Sequence, residues 1–276
     1  MNFVRLKQEL KIRRYSAKTA KAYLHYNKQF LLFCKKEEVS RQDVRDYLEH
    51  LADKRSSAST MRLAYNSLLF YYTQILRKDI MQNIKIPKKD QKITIGLTPE
   101  EVAKLISVIK NPQHRLLIEL IYASGVRAQE AVRIKVNDIL VEEKLAVVRA
   151  GKGNKDRKTI LSERFINDFK KELQTDNYLF KGRTGHLTVR SVQQIIKKAA
   201  LDAGIKKRVY PHLLRHAFAT HLHQNKTDVR YIQKLLGHKD QKTTENYVSV
   251  SDSDIKKIRS PHDNIKWKQN DSLLNG

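Results

Sequence analysis

The chain has 276 residues, 40% of them apolar, and carries 55 Lys+Arg against 29 Asp+Glu, a formal net charge of +26. That length suits one large domain or two modest ones, each able to bury a core of its own. The charge surplus is 10 up to Lys85 and 16 over the remaining residues. This excludes a lone basic tail and suits a polyanion touching both halves, most simply duplex DNA; a thermophile-type surface is the bland alternative, but it usually balances its signs.

The N-terminal stretch Met1-Asn2-Phe3-Val4-Arg5-Leu6-Lys7 lacks the apolar core of a signal peptide, and no apolar run approaches membrane-spanning length. Residues 1 to about 83 read as amphipathic helices. Leu6, Leu10, Tyr15, Tyr23 and Phe30 recur near helical spacing, as do Val44, Leu48 and Leu51, and Ser59 to Arg77 reads as one further helix. Ser16 and Ser40 are N-cap candidates, because a hydroxyl there satisfies free amides of the first turn. The single cysteine, Cys34, cannot form an internal disulfide and fits a reducing, intracellular setting; within Phe30-Leu31-Leu32-Phe33-Cys34 it reads as a buried structural residue rather than a catalytic thiol.

Ile86-Pro87-Lys88-Lys89-Asp90-Gln91-Lys92 reads as a linker. Thr98-Pro99-Glu100-Glu101 restarts a helix as N-cap, N1 proline and two acids near its positive end. A helix from Gln113 to Ala123 then ends at Gly125. The segment from Ile139 to Leu161, with Gly151-Lys152-Gly153-Asn154 as its turn, reads as a β-hairpin or small sheet. Helical patterning resumes over Arg190 to Ala203 and from His212 onward. Ile255 to Ile258 reads as a short helix, and the polar tail after Pro261 is expected to be mobile.

The residues that suggest chemistry are Arg127, Lys152, His212, Arg215, His238 and Tyr247. Moving a phosphodiester onto a hydroxyl needs a nucleophile, neutralisation of the phosphorane's charge and a proton for the departing oxygen. Arginine suits the second task, since its planar fork stays charged and gives bidentate bonds. His212 and Arg215, three apart, share one face of a helix. His212 and His216 have the spacing of a helical zinc pair, but Leu213 stands where a metalloprotease has glutamate and no acidic third ligand is near, so a metal site is not expected. A packed core histidine is the plainer account of His216. Tyrosine, with a reference pKa of about 10, becomes a nucleophile only among cations that favour the phenolate.

The stretch Tyr122-Ala123-Ser124-Gly125-Val126-Arg127-Ala128-Gln129-Glu130-Ala131-Val132-Arg133-Ile134 resembles the tyrosine recombinase (integrase) family, as do Gly151 to Arg157, Pro211 to Leu222, Leu235-Leu236-Gly237-His238 and Tyr247. Order and intervals match from about residue 97 to 250, and no position of the core set departs from the pattern. The N-terminal stretch around Ser16 to Tyr23 more weakly resembles the family's helical core-binding domain. The compact length is similar to the cellular Xer type, including its archaeal form.

The resemblance implies a mainly α fold with a small β-sheet in the C-terminal domain, arranged as a two-domain DNA clamp. Residues 1–85 would form the SAM-like core-binding domain, 86–96 a linker, 97–250 the catalytic domain, and 251–276 a tail whose Ile255 to Ile258 docks on a neighbouring protomer. It further implies that Tyr247 attacks the phosphate to leave a 3′-phosphotyrosyl enzyme, that Arg127 and Arg215 clamp the phosphorane, and that Lys152 protonates the leaving 5′-oxygen, with Lys155 and Lys158 as rivals. His212 would assist proton transfer, His238 would hydrogen-bond the phosphate, and Glu130 would brace the site. No ATP, cofactor or metal is required. The implied partners are double-stranded DNA with an inverted-repeat site and further copies of the chain, a tetramer in the synaptic complex; a regulatory protein partner stays open, no membrane is involved, and the setting is cytoplasmic and nucleoid-associated. DNA-contact candidates are Lys18, Thr19, Ser59, Arg62, Arg190 and Gln194. The expected function is site-specific recombination through a Holliday junction, of the kind that resolves chromosome or plasmid dimers; the alternatives are a monomeric type IB-like topoisomerase and a non-catalytic DNA-binding protein.

Overall fold

A computed structural model describes residues 3–36, 38–86, 96–149, 156–171, 177–183, 185–237 and 252–267. The chain divides into two units, Met1–Ile93 and Thr94–Gly276.

The first unit is helical: α1 (Val4–Ile12), α2 (Ala17–Cys34), α3 (Arg41–Asp53) and α4 (Ala58–Leu69). Ser16 accepts the Thr19 amide at 3.1 Å, and Ser40 exchanges bonds with Asp43 in a reciprocal capping box, so both serines expected as caps are caps. Leu6, Leu10, Phe30, Val44, Ala64, Leu68 and Tyr72 form the core. Asn27 ties α2 to α4 by donating to the Ser67 carbonyl and hydroxyl. The helix expected over Ser59–Arg77 is not regular: α4 runs into a π-helical segment, Phe70–Ile75, where the Thr73 hydroxyl bonds the Leu69 carbonyl at 2.6 Å and competes with the backbone ladder.

Cys34 also differs from its expected role. It is only half-buried, Leu32 and Phe33 of the same run are exposed, and burial followed by the charge of Asp43 pushes the thiol up to about 11. Arg14, Lys35, Arg55 and Arg77, each one or two residues past the end of a helical stretch, sit at φ of 52° to 54°. Glycine is the usual occupant of that left-handed geometry, whereas a cation there faces the negative helix end.

The second unit holds α5 (Pro99–Ser107), α6 (Pro112–Ser124), α7 (Ala128–Ala131), β1 (Ile139–Leu140), β2 (Leu145–Val148), β3 (Arg157–Ile160), α8 (Glu163–Lys171), β4 (Lys181–Gly182), β5 (Gly185–His186), α9 (Val189–Asp202), α10 (Pro211–Gln224), α11 (Val229–Leu236) and α12 (Asp252–Lys256). Thr98 and Pro99 open α5 as expected, with Glu101 completing a capping box. β1, β2 and β3 form an antiparallel sheet in that order, with Leu145 opposite Ile160 and Val148 opposite Arg157. Helix α6 is central: every residue from Leu116 to Ser124 is buried.

The segment after Pro261 is not a loose tail over its described residues. Pro261–Asn264 forms a 3-10 turn in which His262 is fully buried. Ser260 donates to the Ala123 carbonyl at 2.8 Å. Ser162 Oγ accepts the Phe165 amide and is hydrogen-bonded to His262 Nδ1 at 2.6 Å. The Arg164 guanidinium lies 3.7 Å over the Trp267 ring. Ile255 of α12 is buried in the core of its own unit. Polar composition pointed to solvent here, and tertiary packing overrides it.

Candidate active site

The site begins at the end of α6. Gly125 terminates that helix at φ +63°, and a Cβ there would meet Phe218 Cδ1 at 2.4 Å, so both backbone and packing require glycine. The turn that follows makes Arg127 the N-cap of α7. An arginine has no side-chain oxygen to accept first-turn amides. Glu130 acts from the other side: one carboxylate oxygen accepts the Arg127 amide and the other accepts Arg127 Nη1, both at 2.8 Å.

Arg157, the first residue of β3, reaches the same carboxylate from the sheet. Its Nη1 and Nη2 donate to the two Glu130 oxygens at 3.0 and 2.8 Å, and its Nε donates to the Leu235 carbonyl at 3.0 Å. Arg215 approaches from α10. That helix starts with Pro211 at its first position, which places His212 and Arg215 in its opening turns. Arg215 Nη1 donates to the Gly125 carbonyl at 2.5 Å and Nη2 to the Leu236 carbonyl at 2.6 Å, with Nη1 4.0 Å from Glu130.

Three guanidiniums thus surround one carboxylate, a local surplus of two positive charges. Burial alone would raise the Glu130 pKa, but the hydrogen bonds from Arg157 and Arg127 outweigh it and hold the group at about 2. Arg215 is pulled down to about 10, by burial first and then by Arg127, which leaves it charged at neutral pH. His212 is lowered by partial burial and by the nearby Arg215, Arg127 and His216. Such a cluster binds an anion. Among the three, Arg127 is the most open, its side chain 29% exposed against 11% for Arg157 and 4% for Arg215.

The structure therefore brings Arg127, His212, Arg215 and Glu130 together. Lys152, Lys155, His238 and Tyr247 lie outside the described residues. Lys158 lies on β3 opposite Val147. His216 is exposed rather than packed in a core, because α10 buries Leu213, Leu214, Ala217, Phe218, His221 and Leu222 and leaves the face of His212 and His216 outward. The sequence reading missed Arg157, although it closes the Gly151–Arg157 motif. Of the DNA-contact candidates, Lys18, Ser59, Arg62, Arg190 and Gln194 are exposed and Thr19 is half-buried, its hydroxyl paired with Ser16 at 2.8 Å.

Comparison with known proteins decides the family. The model of the phage integrase family matches residues 96–254, and that of the phage integrase N-terminal SAM-like domain matches residues 3–82. The chain belongs to the phage integrase family, the tyrosine recombinases. This integrase is similar to the putative integrase/recombinase y4qK of Sinorhizobium fredii, 33% identical over 93% of the chain and 87% of that protein. It is also similar to the tyrosine recombinase XerA of Pyrococcus horikoshii, 33% identical over 86% of the chain and 84% of that protein. Its fold matches the crystal structure of a lambda integrase dimer bound to a COC′ core site, with a TM-score of 0.71 at 17% identity, over 90% of the chain and 97% of that one. The integrase is thus a tyrosine-type site-specific recombinase, an enzyme that cuts and rejoins DNA. Among its described residues no helix is long and apolar enough to cross a membrane.

Proposed function

We propose that this recombinase is Xer-like and resolves chromosome or plasmid dimers by exchanging strands through a Holliday junction. The observation that carries the chemistry is the buried Glu130 carboxylate ringed by Arg127, Arg157 and Arg215, with His212 beside them. The surplus of positive charge suits a phosphorane, whose charge exceeds that of the ground-state phosphodiester, so the arginines bind the transition state more strongly than the substrate.

In this reading the Tyr247 oxygen forms a bond to phosphorus as the bond to the 5′-oxygen breaks. The product is a 3′-phosphotyrosyl enzyme and a free 5′-hydroxyl. Arg127 and Arg215 clamp the non-bridging oxygens, His238 hydrogen-bonds one of them, and Lys152, between β2 and β3 in the sequence, gives the leaving oxygen its proton. A lowered pKa keeps His212 neutral near pH 7, able to accept the tyrosyl proton. The phosphotyrosyl bond conserves the energy of the broken diester, and attack by a 5′-hydroxyl from the partner strand reverses the step.

The partner is duplex DNA with an inverted-repeat site, two protomers to a site and four in the synaptic complex. Residues 1–85 would form the core-binding domain and 97–250 the catalytic domain, and the setting would be the nucleoid. The first turns of α2, α4 and α9 support contact with the DNA backbone. Each is capped by a pair of hydroxyls (Ser16 with Thr19, Ser57 with Thr60, Thr188 with Ser191) and holds no acidic residue, whereas α3 and α5 carry Asp43 and Glu100 with Glu101. Lys18, Ser59 and Arg190 sit in those turns.

Covalent trapping tests the proposal. Wild-type protein and Tyr247→Phe are mixed with fragmented DNA from the source organism, denatured and resolved on a gel, and trapped DNA is sequenced. A wild-type adduct, absent from the variant and enriched for one inverted-repeat site, is the expected result. Adducts scattered over all sequences would overturn site selection, and no adduct despite DNA binding would mean that a regulatory protein is required or that Tyr247 is not the nucleophile.

A further inference from the structure

The sheet, α10 and the C-terminal turn meet at one place, the end of α6. The last carbonyls of a helix have no amide partner within it and carry its negative pole. Here three successive carbonyls are each taken by a side chain from a different element. The Ser260 hydroxyl, just ahead of the C-terminal turn, donates to the Ala123 carbonyl at 2.8 Å. The Thr159 hydroxyl on β3 donates to the Ser124 carbonyl at 2.7 Å. Arg215 Nη1 on α10 donates to the Gly125 carbonyl at 2.5 Å. All three side chains are buried.

The end of α6 sets the site. Gly125 and the buried Val126 alone separate it from Arg127, and Arg215 is tied to the third carbonyl of the row. Neither hydroxyl is needed to fill space. At the buried strand position of Thr159, valine would fill the same volume with no polar atom to satisfy. Ser260 Oγ also accepts the His262 amide at 3.3 Å, so one hydroxyl joins the C-terminal turn to the helix end. Without either donor a buried carbonyl is left unpaired, and the helix end must shift to find another partner.

We infer that Thr159 and Ser260 are positioning residues of strand cleavage: their hydroxyls fix the end of α6 and so aim Arg127 and Arg215 at the non-bridging oxygens of the scissile phosphate. Neither touches the reacting atoms. The inference rests on the reading of those two arginines as the phosphate clamp. It also gives the sequence beyond Tyr247 a task inside its own unit, since Ser260 completes the same helix end as β3 and α10.

A methylphosphonate substrate separates this role from plain destabilisation. A methyl group in place of one non-bridging oxygen removes the charge of the scissile group, so its transition state calls less on the two guanidiniums. In either substrate the tyrosyl oxygen bonds to phosphorus, the P–O5′ bond breaks, and the 5′-oxygen leaves with its electron pair and takes up a proton. Single-turnover cleavage of both substrates, built on the site recovered by trapping, would be measured for wild type, Thr159→Val, Thr159→Ser, Ser260→Ala and Arg215→Ala. Thr159→Val keeps the shape and loses the donor, whereas Thr159→Ser keeps the donor and loses a methyl group. DNA affinity and melting temperature would be measured alongside.

On the phosphodiester, Thr159→Val and Ser260→Ala should cleave about 10- to 100-fold more slowly at unchanged DNA affinity, the range that a misplacement of about 1 Å gives. Thr159→Ser should stay within about threefold of wild type, and on the methylphosphonate all three should lie within about threefold of wild type acting on the same substrate. If one of Thr159→Val and Ser260→Ala does not fold, the other carries the test, because they serve separate carbonyls. Equal losses on both substrates, Thr159→Ser as slow as Thr159→Val, or a loss that tracks DNA affinity would overturn the inference. If the defect of Arg215→Ala is no smaller on the methylphosphonate, the reading of the clamp fails first, and that outcome is distinct.

Discussion

At the residue scale the site turns on one carboxylate. Glu130 has a folded pKa of about 2 against an ordinary value of 4.5, so its ionised form stabilises the fold. The direction is that of a depressed acid: the contribution is complete above about pH 4.5 and disappears as pH falls toward 2. At 1.36 kcal/mol per pKa unit it amounts to about 3 kcal/mol. Glu130→Gln should therefore lower the unfolding free energy at pH 7 by about that amount, and the gap to wild type should close on acidification. Urea titrations at a series of pH values check it; a constant gap would mean that shape rather than charge is what counts. Gly125→Ala should cost about 2–4 kcal/mol, since left-handed backbone and overpacking against Phe218 add. Thermal unfolding reads this directly, and a change under 1 kcal/mol would show that the turn relaxes. Arg127, His212 and Arg215 were legible in the sequence because motif and spacing name them. Arg157 was not, because nothing local distinguishes a strand arginine that chelates a carboxylate 27 positions away from one lying in solvent.

At the scale of elements, what local chemistry decides was readable and what packing decides was not. Ser16, Ser40 and Thr98 were recognisable as caps because a hydroxyl meets an amide three residues on. The three-stranded sheet was readable as a hairpin or small sheet from Leu145, Val147 and Val148 and from Thr159, Ile160 and Leu161. The turn Pro261–Asn264 was misread because its polar residues find partners a hundred or more positions away, at Ser162 and, through Ser260, at Ala123. The π-helical end of α4 has no sequence signal that separates it from ordinary helix. His262 makes the buried turn sensitive to acid. Burial, with Arg164 nearby, pushes it down to about 3 from 6.5, so the unfolded chain takes up a proton that the folded one refuses. Stability should fall as pH drops from about 6.5 toward 3, by up to about 1.4 kcal/mol per pH unit from this group. His262→Asn should flatten that slope relative to wild type; denaturation midpoints at pH 7, 6, 5 and 4 would reveal it, and parallel curves would assign the acid sensitivity elsewhere.

For the whole molecule, charge is the dominant fact. A surplus of 26 positive charges in 276 residues, present in both halves of the sequence, implies that DNA association is driven largely by release of condensed counterions. Affinity for the target site should fall about 10³- to 10⁵-fold between 50 and 200 mM salt if 6–10 phosphates are contacted. Fluorescence anisotropy across that range tests it, and a shallow dependence would confine the contact to a few phosphates. Burial first, and then the charge of Arg127, loosens the Arg215 proton, so part of the cation cluster's mutual repulsion works against its own fold. Occupation by a phosphate group relieves that repulsion, so DNA should raise the melting temperature of the second unit beyond what mass action at a neutral site would give.

The left-handed Arg14, Lys35, Arg55 and Arg77 give this balance a direction of change. Glycine at any of them would relax the backbone by about 1 kcal/mol and remove one cation. Heat tolerance and net positive charge are therefore set against each other at the same four positions. A lineage or a designer that selects for one should erode the other in steps, each visible as a shallower salt slope.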